Sequence, residues 1–273
     1  MKVLDGVKAS KEIEKELKNK IKDELELVII QINDDKNSNI HIKNIIKKCD
    51  EFNIRVTLKN FYNEKEEEII NYIKKINDNP KVNGIIIDMP IIPKYNAHRI
   101  INMVAQIKDV DGQTDENMIK LMNNDSCFVP CTVLGIENIL KYYKIDISEK
   151  KVTIINRSNV IGKPLLFRLL HNNCTVTLCH SKTKDLKNIC KQSEIIITAI
   201  GKKHYLNKEY ISKNQIIIDA GITTENNKVY GDVATEVQED CLYITKVPGG
   251  VGQMTTISLI ENLYKAYQIQ NKK

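Results

Sequence analysis

The chain has 273 residues, about twice the ~150-residue domain norm, so one large domain or two modest ones is expected. Its 42% hydrophobic and 28% charged residues are those of an ordinary folded protein and exclude disordered, collagenous and membrane classes. The 41 basic and 35 acidic side chains leave a formal charge of +6, but the lysines are interleaved with acids, as in KEIEKELKNKIKDELE, which is a solvated helix face rather than a nucleic-acid patch.

The apolar runs GIII (84–87) and EIIITAIG (194–201) fall short of the roughly 20 apolar residues that cross a bilayer, so no membrane span is expected. Lys2, Asp5, Lys8, Lys11, Glu12, Glu14 and Lys15 crowd the first thirty residues without an apolar segment. A secretory leader is therefore not expected, and the expected compartment is the cytoplasm. The seven cysteines are odd in number and never spaced C-x-x-C, so reduced thiols are expected, with neither a disulfide framework nor a metal site.

In chain order, Ile13, Leu17 and Ile21 recur every four residues and predict an amphipathic helix over 10–22, followed by a buried strand over 26–32. Ser38 is read as the cap of a second helix running to about Phe52. The strand IRVTLKNF, the helix EEEIINYIKKI and the strand VNGIIIDM (82–89) come next, and Pro90 and Pro93 open a loop. Near-continuous apolar strands alternating with helices predict a parallel sheet covered on both faces. The periodicity breaks at 122–131, and Pro130 restarts the chain into the helix GIENILKYY. Strands at 151–155, 175–179, 194–200, 215–219 and 242–247 then fit a doubly wound sheet. Pro248, Gly249, Gly250 and Gly252 punctuate the last strand, and TTISLIENLYKAYQI forms a terminal helix.

The strand KVTII leads into NRSNVIG (156–162) and Lys163-Pro164, a strand, tight loop and helix start whose free N–H groups favour phosphate. Asn156 stands where the first glycine of G-x-G-x-x-G would be, so on this pattern alone a purely structural connection reads almost as well. An NAD-binding fold usually ends its second strand in Asp or Glu, about 20 residues after the glycine loop, whereas here that strand ends Cys179-His180-Ser181-Lys182. Arg157, Ser158 and Lys182 are instead donors for a 2′-phosphate, which favours NADP. The alternative of ordinary surface cations is outweighed because the two loops converge in this fold.

Taken together, ten ordered segments resemble the bifunctional methylenetetrahydrofolate dehydrogenase/cyclohydrolases. They are VLDG (3–6), INDDKNS (32–38), NPKVNGIIIDMP (79–90), KDVDG (108–112), PCTVLG (130–135), NRSNVIGKP (156–164), TVTLCHSKT (175–183), TAIGK (198–202), GDV (231–233) and VPGGVGQMTT (247–256). The resemblance implies an α/β chain with a folate-binding catalytic domain (1–122 plus 255–273) and a Rossmann-like, doubly wound NADP-binding domain (123–254). The C-terminal helix returns to the first domain, and the assembly is a homodimer. It also implies that Asp111 binds the pterin through two parallel bonds to the aminopyrimidine edge, where a bare reading would make it a loop cap. Arg157, Ser158, Lys182, Gly162 and Ile222 are implied as cofactor contacts, and Pro248, Gly249 and Gly250 as a wall of the folate cleft.

Departures from that pattern fall on the chemistry. The helix after INDDKNS carries, in the family, a Tyr and a Lys at i and i+4, which emerge on one face into the cleft. Here those positions are His41 and Ile45, and the family's cleft glutamine is Asp88. Val133 and Gln253 replace prolines, and Gln113 replaces an aromatic. Hydride transfer from the methylene bridge of the folate needs alignment rather than a protein base. Cyclohydrolysis needs proton transfers worth roughly 10²–10⁴-fold, and Ile45 cannot move a proton. His41 and Asp88 are the candidate replacements. The expectation is thus an NADP-dependent methylenetetrahydrofolate dehydrogenase acting on tetrahydrofolate derivatives, with weak or absent cyclohydrolase activity. The alternative is a catalytically impaired folate- or nucleotide-binding homologue.

Overall fold

The computed structural model describes residues 2–226 and 228–271. Along the first half run β1 (Lys2–Leu4), α1 (Gly6–Lys20), β2 (Glu26–Gln31), α2 (Lys36–Asp50), β3 (Arg55–Asn60), α3 (Glu66–Asn77), β4 (Gly84–Asp88), α4 (Ala97–Ile101), α5 (Asp115–Met122) and α6 (Cys131–Tyr142). The second half holds β5 (Lys151–Ile155), α7 (Gly162–His171), β6 (Thr175–Cys179), α8 (Leu186–Lys191), β7 (Ile195–Thr198), β8 (Gln215–Asp219), β9 (Thr223–Glu225), β10 (Lys228–Tyr230), β11 (Cys241–Thr245) and α9 (Val251–Asn271). Two compact units result, Met1–Ile13 with Thr132–Thr255, and Glu14–Cys131 with Thr256–Lys273.

The second of these is built on a parallel sheet of order β3-β2-β4. Helix α3 forms because Ile69, Ile70, Ile73 and Ile76 make one apolar stripe, Glu66, Glu67 and Glu68 sit at its positive end, and the Glu68 carboxylate accepts the Lys65 N–H at 3.1 Å. Ile69, Ile73 and Ile76 of this stripe join Val28, Ile30, Ile85 and Ile87 in one core cluster, each isoleucine contributing about 1.5–3 kcal/mol by burial. Residues of a strand alternate between faces, so Leu27, Ile29 and Gln31 point away from that cluster. On α2, the positions Ser38, Ile42, Ile45 and Cys49 follow helical spacing and are all buried. Ser38 is not the cap expected from sequence. It lies inside α2, its N–H is accepted by the Asp35 carboxylate at 2.9 Å, and its hydroxyl is used elsewhere.

The last part of α9 belongs to this unit, as expected of a returning terminal helix. Asn262 donates to the carbonyls of Val110 and Val129, both at 2.9 Å, Lys265 to that of Cys127 at 2.6 Å, and Gln270 to that of Asn83 at 2.8 Å. The helix starts at Val251 rather than after Met254, so the glycine-rich segment is partly helical.

The other unit carries a wholly parallel sheet of order β1-β11-β8-β7-β5-β6. From β5 the chain steps to β6 on one side and then to β7, β8 and β11 on the other. That reversal makes the carboxyl ends of β5 and β7 a topological switch point, where doubly wound sheets bind ligands. Strand β1 pairs with β11, which carries the first thirteen residues across the division expected from sequence. A three-residue strand has too few positions to show a period, which is why β1 and the hairpin β9–β10 escape sequence analysis.

Candidate active site

At the switch point the side chain of Asn156 closes the loop after β5. Its Oδ1 accepts the N–H groups of Ser158 (2.7 Å) and Gly162 (3.0 Å), and its Nδ2 donates to the carbonyl of Ala199 (2.5 Å) beyond β7. A Cβ on Gly162 would stand 2.1 Å from the Asn156 carbonyl, so only glycine can begin α7 here. Pro164 occupies the first turn of α7, as expected. Arg157 and Ser158 are exposed, two and three residues past Ile155, which pairs in register with Cys179 of β6. Lys182, exposed three residues beyond Cys179, thus stands at the neighbouring strand exit. The donor set is cationic and hydroxylic, with no carboxylate ending β6, and this chemistry fits a phosphorylated ribose better than a ribose diol.

Two buried carboxylates, given no role by the sequence, hold the adjoining loops. Asp232, in GDV, accepts from the Thr198 hydroxyl (2.8 Å), the Ile200 N–H (2.7 Å) and the Lys202 N–H (2.8 Å), and so shapes the whole TAIGK segment. Asp219 accepts from the N–H groups of Gly221 (3.0 Å), Asp232 (3.1 Å) and Val233 (2.9 Å). Burial, with the Asp232 charge adding to it, pushes the Asp219 carboxyl up to about 7. Ile222, just past β8, leaves its side chain 57% exposed, an apolar surface free to meet a flat ring.

The segment Pro248-Gly249-Gly250 is pinned to the start of the chain. Gly6 donates its N–H to the Gly249 carbonyl at 2.9 Å, and a Cβ on Gly6 would come 2.0 Å from the Gly250 oxygen. Asp5 accepts from the Val7 and Lys8 N–H groups at the head of α1 and from Lys246 Nζ at 2.7 Å, and this Lys246 bond holds its carboxyl below the usual range. The VLDG and VPGG segments are therefore one structural feature.

In the three-stranded unit, the carboxyl ends of β3, β2 and β4 put Asn60, Gln31 and Asp88 side by side in register, facing α2. Asp88 is 5% exposed, and its Oδ2 accepts both Asn33 Nδ2 at 2.9 Å and the Ser38 hydroxyl. Asn33 also donates to the Pro90 carbonyl at 2.8 Å, and Gln31 donates to Asn39 Oδ1 at 2.7 Å. Asn60 Oδ1 is buried and accepts no hydrogen bond. Ile45 lies on the buried stripe of α2 while His41, on the flank of that stripe, is exposed. The two positions expected to open together into a cleft therefore part ways, because an isoleucine side chain lowers its free energy by joining the core and a histidine does not.

Asp111 sits at the same end of β4, since the parallel bridge between Ile85 and Asp109 lays KDVDG along that strand. It is half-buried, accepting the Cys131 N–H at 3.2 Å on Oδ1 and the Gln113 amide on Oδ2. The Gln113 Oε1 is buried without a partner. Asp109, buried and pushed upward by desolvation, accepts from the N–H and hydroxyl of Thr114, the N-cap of α5, and from the Asn117 amide, and is structural. Among the described residues no group of three or more His, Cys, Asp or Glu could hold a metal ion.

The profile of the tetrahydrofolate dehydrogenase/cyclohydrolase catalytic domain matches residues 4–111, and that of the NAD(P)-binding domain of the same family matches residues 130–271. The chain is 39% identical to the bifunctional protein FolD of Clostridium novyi over 271 residues, covering 95% of this chain and 97% of that one. It is similar to the bifunctional methylenetetrahydrofolate dehydrogenase/cyclohydrolase FolD of Campylobacter jejuni, with TM-score 0.95, 35% identity and coverage of 98% and 99%. The bifunctional enzyme of Thermoplasma acidophilum aligns over 100% of both chains with TM-score 0.93 and 33% identity.

Proposed function

Because this chain belongs to the tetrahydrofolate dehydrogenase/cyclohydrolase family, we propose that it oxidises 5,10-methylenetetrahydrofolate to 5,10-methenyltetrahydrofolate with NADP, and that its cyclohydrolase activity is weak or absent. The observation that carries the second half is the burial of Ile45 in the core, an apolar side chain with no group that can take up or give a proton. Arg157, Ser158 and Lys182 hold the 2′-phosphate, Gly162 lets the loop approach the cofactor, and Ile222 packs on it. Bound there, the nicotinamide supplies the hydride acceptor. Asp111 receives the aminopyrimidine of the folate, with Gln113 fixing the direction of its carboxylate. Residues Glu14–Cys131 with the end of α9 are the folate domain, and the six-stranded unit is the NADP domain.

Orientation and exclusion of water are what these groups contribute to hydride transfer, which needs no base. Residual hydrolysis would have to run through His41 or Asp88, the titratable groups standing at the altered positions. Family membership also supports a homodimer in the cytoplasm, and no helix among the described residues is long and apolar enough to cross a membrane. Two absorbance assays test the reading, NADPH formation from methylenetetrahydrofolate and loss of methenyltetrahydrofolate above its spontaneous rate. Reduction of NADP with hydrolysis at background is expected. No reduction would favour an impaired binding homologue, and rapid hydrolysis abolished by His41→Ala would show that a new acid–base group has replaced the lysine.

A further inference from the structure

Asp88 ends β4 in a row that presents acceptors. Its Oδ2 is filled by Asn33 and Ser38, while Oδ1 takes no donor and the carboxylate forms no ion pair among the described residues. Beside it across β2, Asn60 Oδ1 is a buried acceptor with no donor. Two donors on a single oxygen fix the orientation of the carboxylate and leave its other oxygen to face a ligand. The carboxyl edge of a parallel sheet is where ligands bind in such folds, and Asp111 stands at the same end of β4.

We propose that Asp88 is the counter-charge for the cation produced by the oxidation, and that it makes this chain select the methenyl form over neutral folates. The inference rests on the dehydrogenase reading above. In that reaction one C–H bond of the one-carbon bridge breaks and its electron pair leaves with the hydrogen, forming the new C–H bond at the nicotinamide. NADP⁺ becomes NADPH, the N–CH₂–N unit becomes an amidinium bearing one positive charge, and no proton is released. A fixed carboxylate oxygen beside that unit interacts weakly with the neutral substrate and strongly with the cation as it develops, which is the differential binding that accelerates a step. A glutamine at this position, as the family pattern has it, offers a dipole where Asp88 offers a full charge.

The test compares the unmutated protein with Asp88→Asn and Asp88→Glu. Equilibrium dialysis gives the affinity for methenyltetrahydrofolate, which is cationic, and for 5-formyltetrahydrofolate, which is neutral at the one-carbon unit. Single-turnover NADPH formation gives the hydride step. Asparagine is the suitable neutral replacement because its amide oxygen can still take both the Asn33 and Ser38 donors. The expected result for Asp88→Asn is at least a tenfold loss of affinity for the cation and a comparable fall in the hydride step, with the neutral folate held within twofold. Asp88→Glu should keep a preference for the cation. An unchanged ratio of cation to neutral affinity in Asp88→Asn overturns the proposal, as does equal loss of both ligands, which marks a structural role. If the unmutated protein binds folates but reduces no NADP, the functional reading fails, while the cation preference is still decided by the dialysis.

Discussion

The two carboxyl edges of this molecule are organised by opposite means. In the six-stranded unit, Asp219 and Asp232 gather five backbone N–H groups and one hydroxyl, so the loops take their shape from main-chain bonds. Of the side chains that would meet a cofactor, Arg157, Lys182 and Ile222 are left exposed, and Ser158 is exposed while its hydroxyl also accepts the Ile161 N–H at 3.1 Å. In the three-stranded unit the edge is held by side chains bonded to side chains, Gln31 to Asn39 and Asn33 and Ser38 to Asp88. A loop fixed through its backbone tolerates changes in what it displays. An edge fixed through side chains changes its chemistry whenever a member changes, although its strands stay the same.

The largest effect expected from breaking this contrast is at Asp232. Asp232→Ala leaves the Thr198 hydroxyl and the Ile200 and Lys202 N–H groups without their acceptor, at a cost of about 3–5 kcal/mol in stability. Denaturant unfolding should register that loss, and NADP binding should disappear with the loop geometry. Normal NADP affinity in a folded Asp232→Ala protein would show that the TAIGK loop holds its shape unaided.

Next is Ile45→Lys, which asks whether the lost lysine can be restored. Because Ile45 is 2% exposed, the ammonium must either stay in the core or drag α2 outward, and a penalty of about 3 kcal/mol is expected. Hydrolase activity should stay at background. Enzyme-dependent hydrolysis in Ile45→Lys, with stability retained, would show that the side chain reaches solvent and that a single substitution separates the two activities.

How much of this was legible in the sequence follows from the same contrast. Strands β5 and β8 coincide with their apolar runs because a strand covered on both faces writes itself as a hydrophobic stretch, whereas β6, at the edge of the sheet, is exposed at Thr175 and Thr177 and is marked by alternation instead. The beginning of α1 was missed although Asp5 caps it, because Gly6–Ser10 carries no apolar period. At the proposed sites, the loop after β5 singles out Arg157 and the family resemblance singles out Asp111. The partners of Asp232 lie 30 to 34 residues away in sequence, and nothing local to GDV announces them. Likewise, that Ile45 is buried and His41 exposed depends on which stripe of α2 faces the sheet, and an alignment of positions does not carry that information.

A smaller effect is expected at Asp111, where the edge displays rather than supports. Asp111→Ala should weaken folate binding by about 1–3 kcal/mol, since the aminopyrimidine donors lose their acceptor. It also frees the Cys131 N–H and the Gln113 amide, so the unfolding midpoint must be measured beside the affinity. Unchanged folate affinity would leave Asp111 as a loop cap only.

The smallest expected change is at Arg157, and it bears most directly on the claim that the six-stranded edge keeps support and display apart. The Arg157 side chain is exposed, and the loop around it is closed by Asn156 and Ser158, so Arg157→Ala should leave the unfolding midpoint unchanged. On the proposed reading it removes a charge-assisted bond to the 2′-phosphate, about 1.5 kcal/mol for a solvated contact, or roughly tenfold in NADP affinity. NAD has no such phosphate and its affinity should not move, so the ratio of the two is a readout that a structural role cannot mimic. Lys182, at the exit of β6, supplies a second cation and keeps the loss from being complete. Equal weakening of NADP and NAD would mean that Arg157 shapes the loop, and would erase the distinction between the two edges at its clearest position.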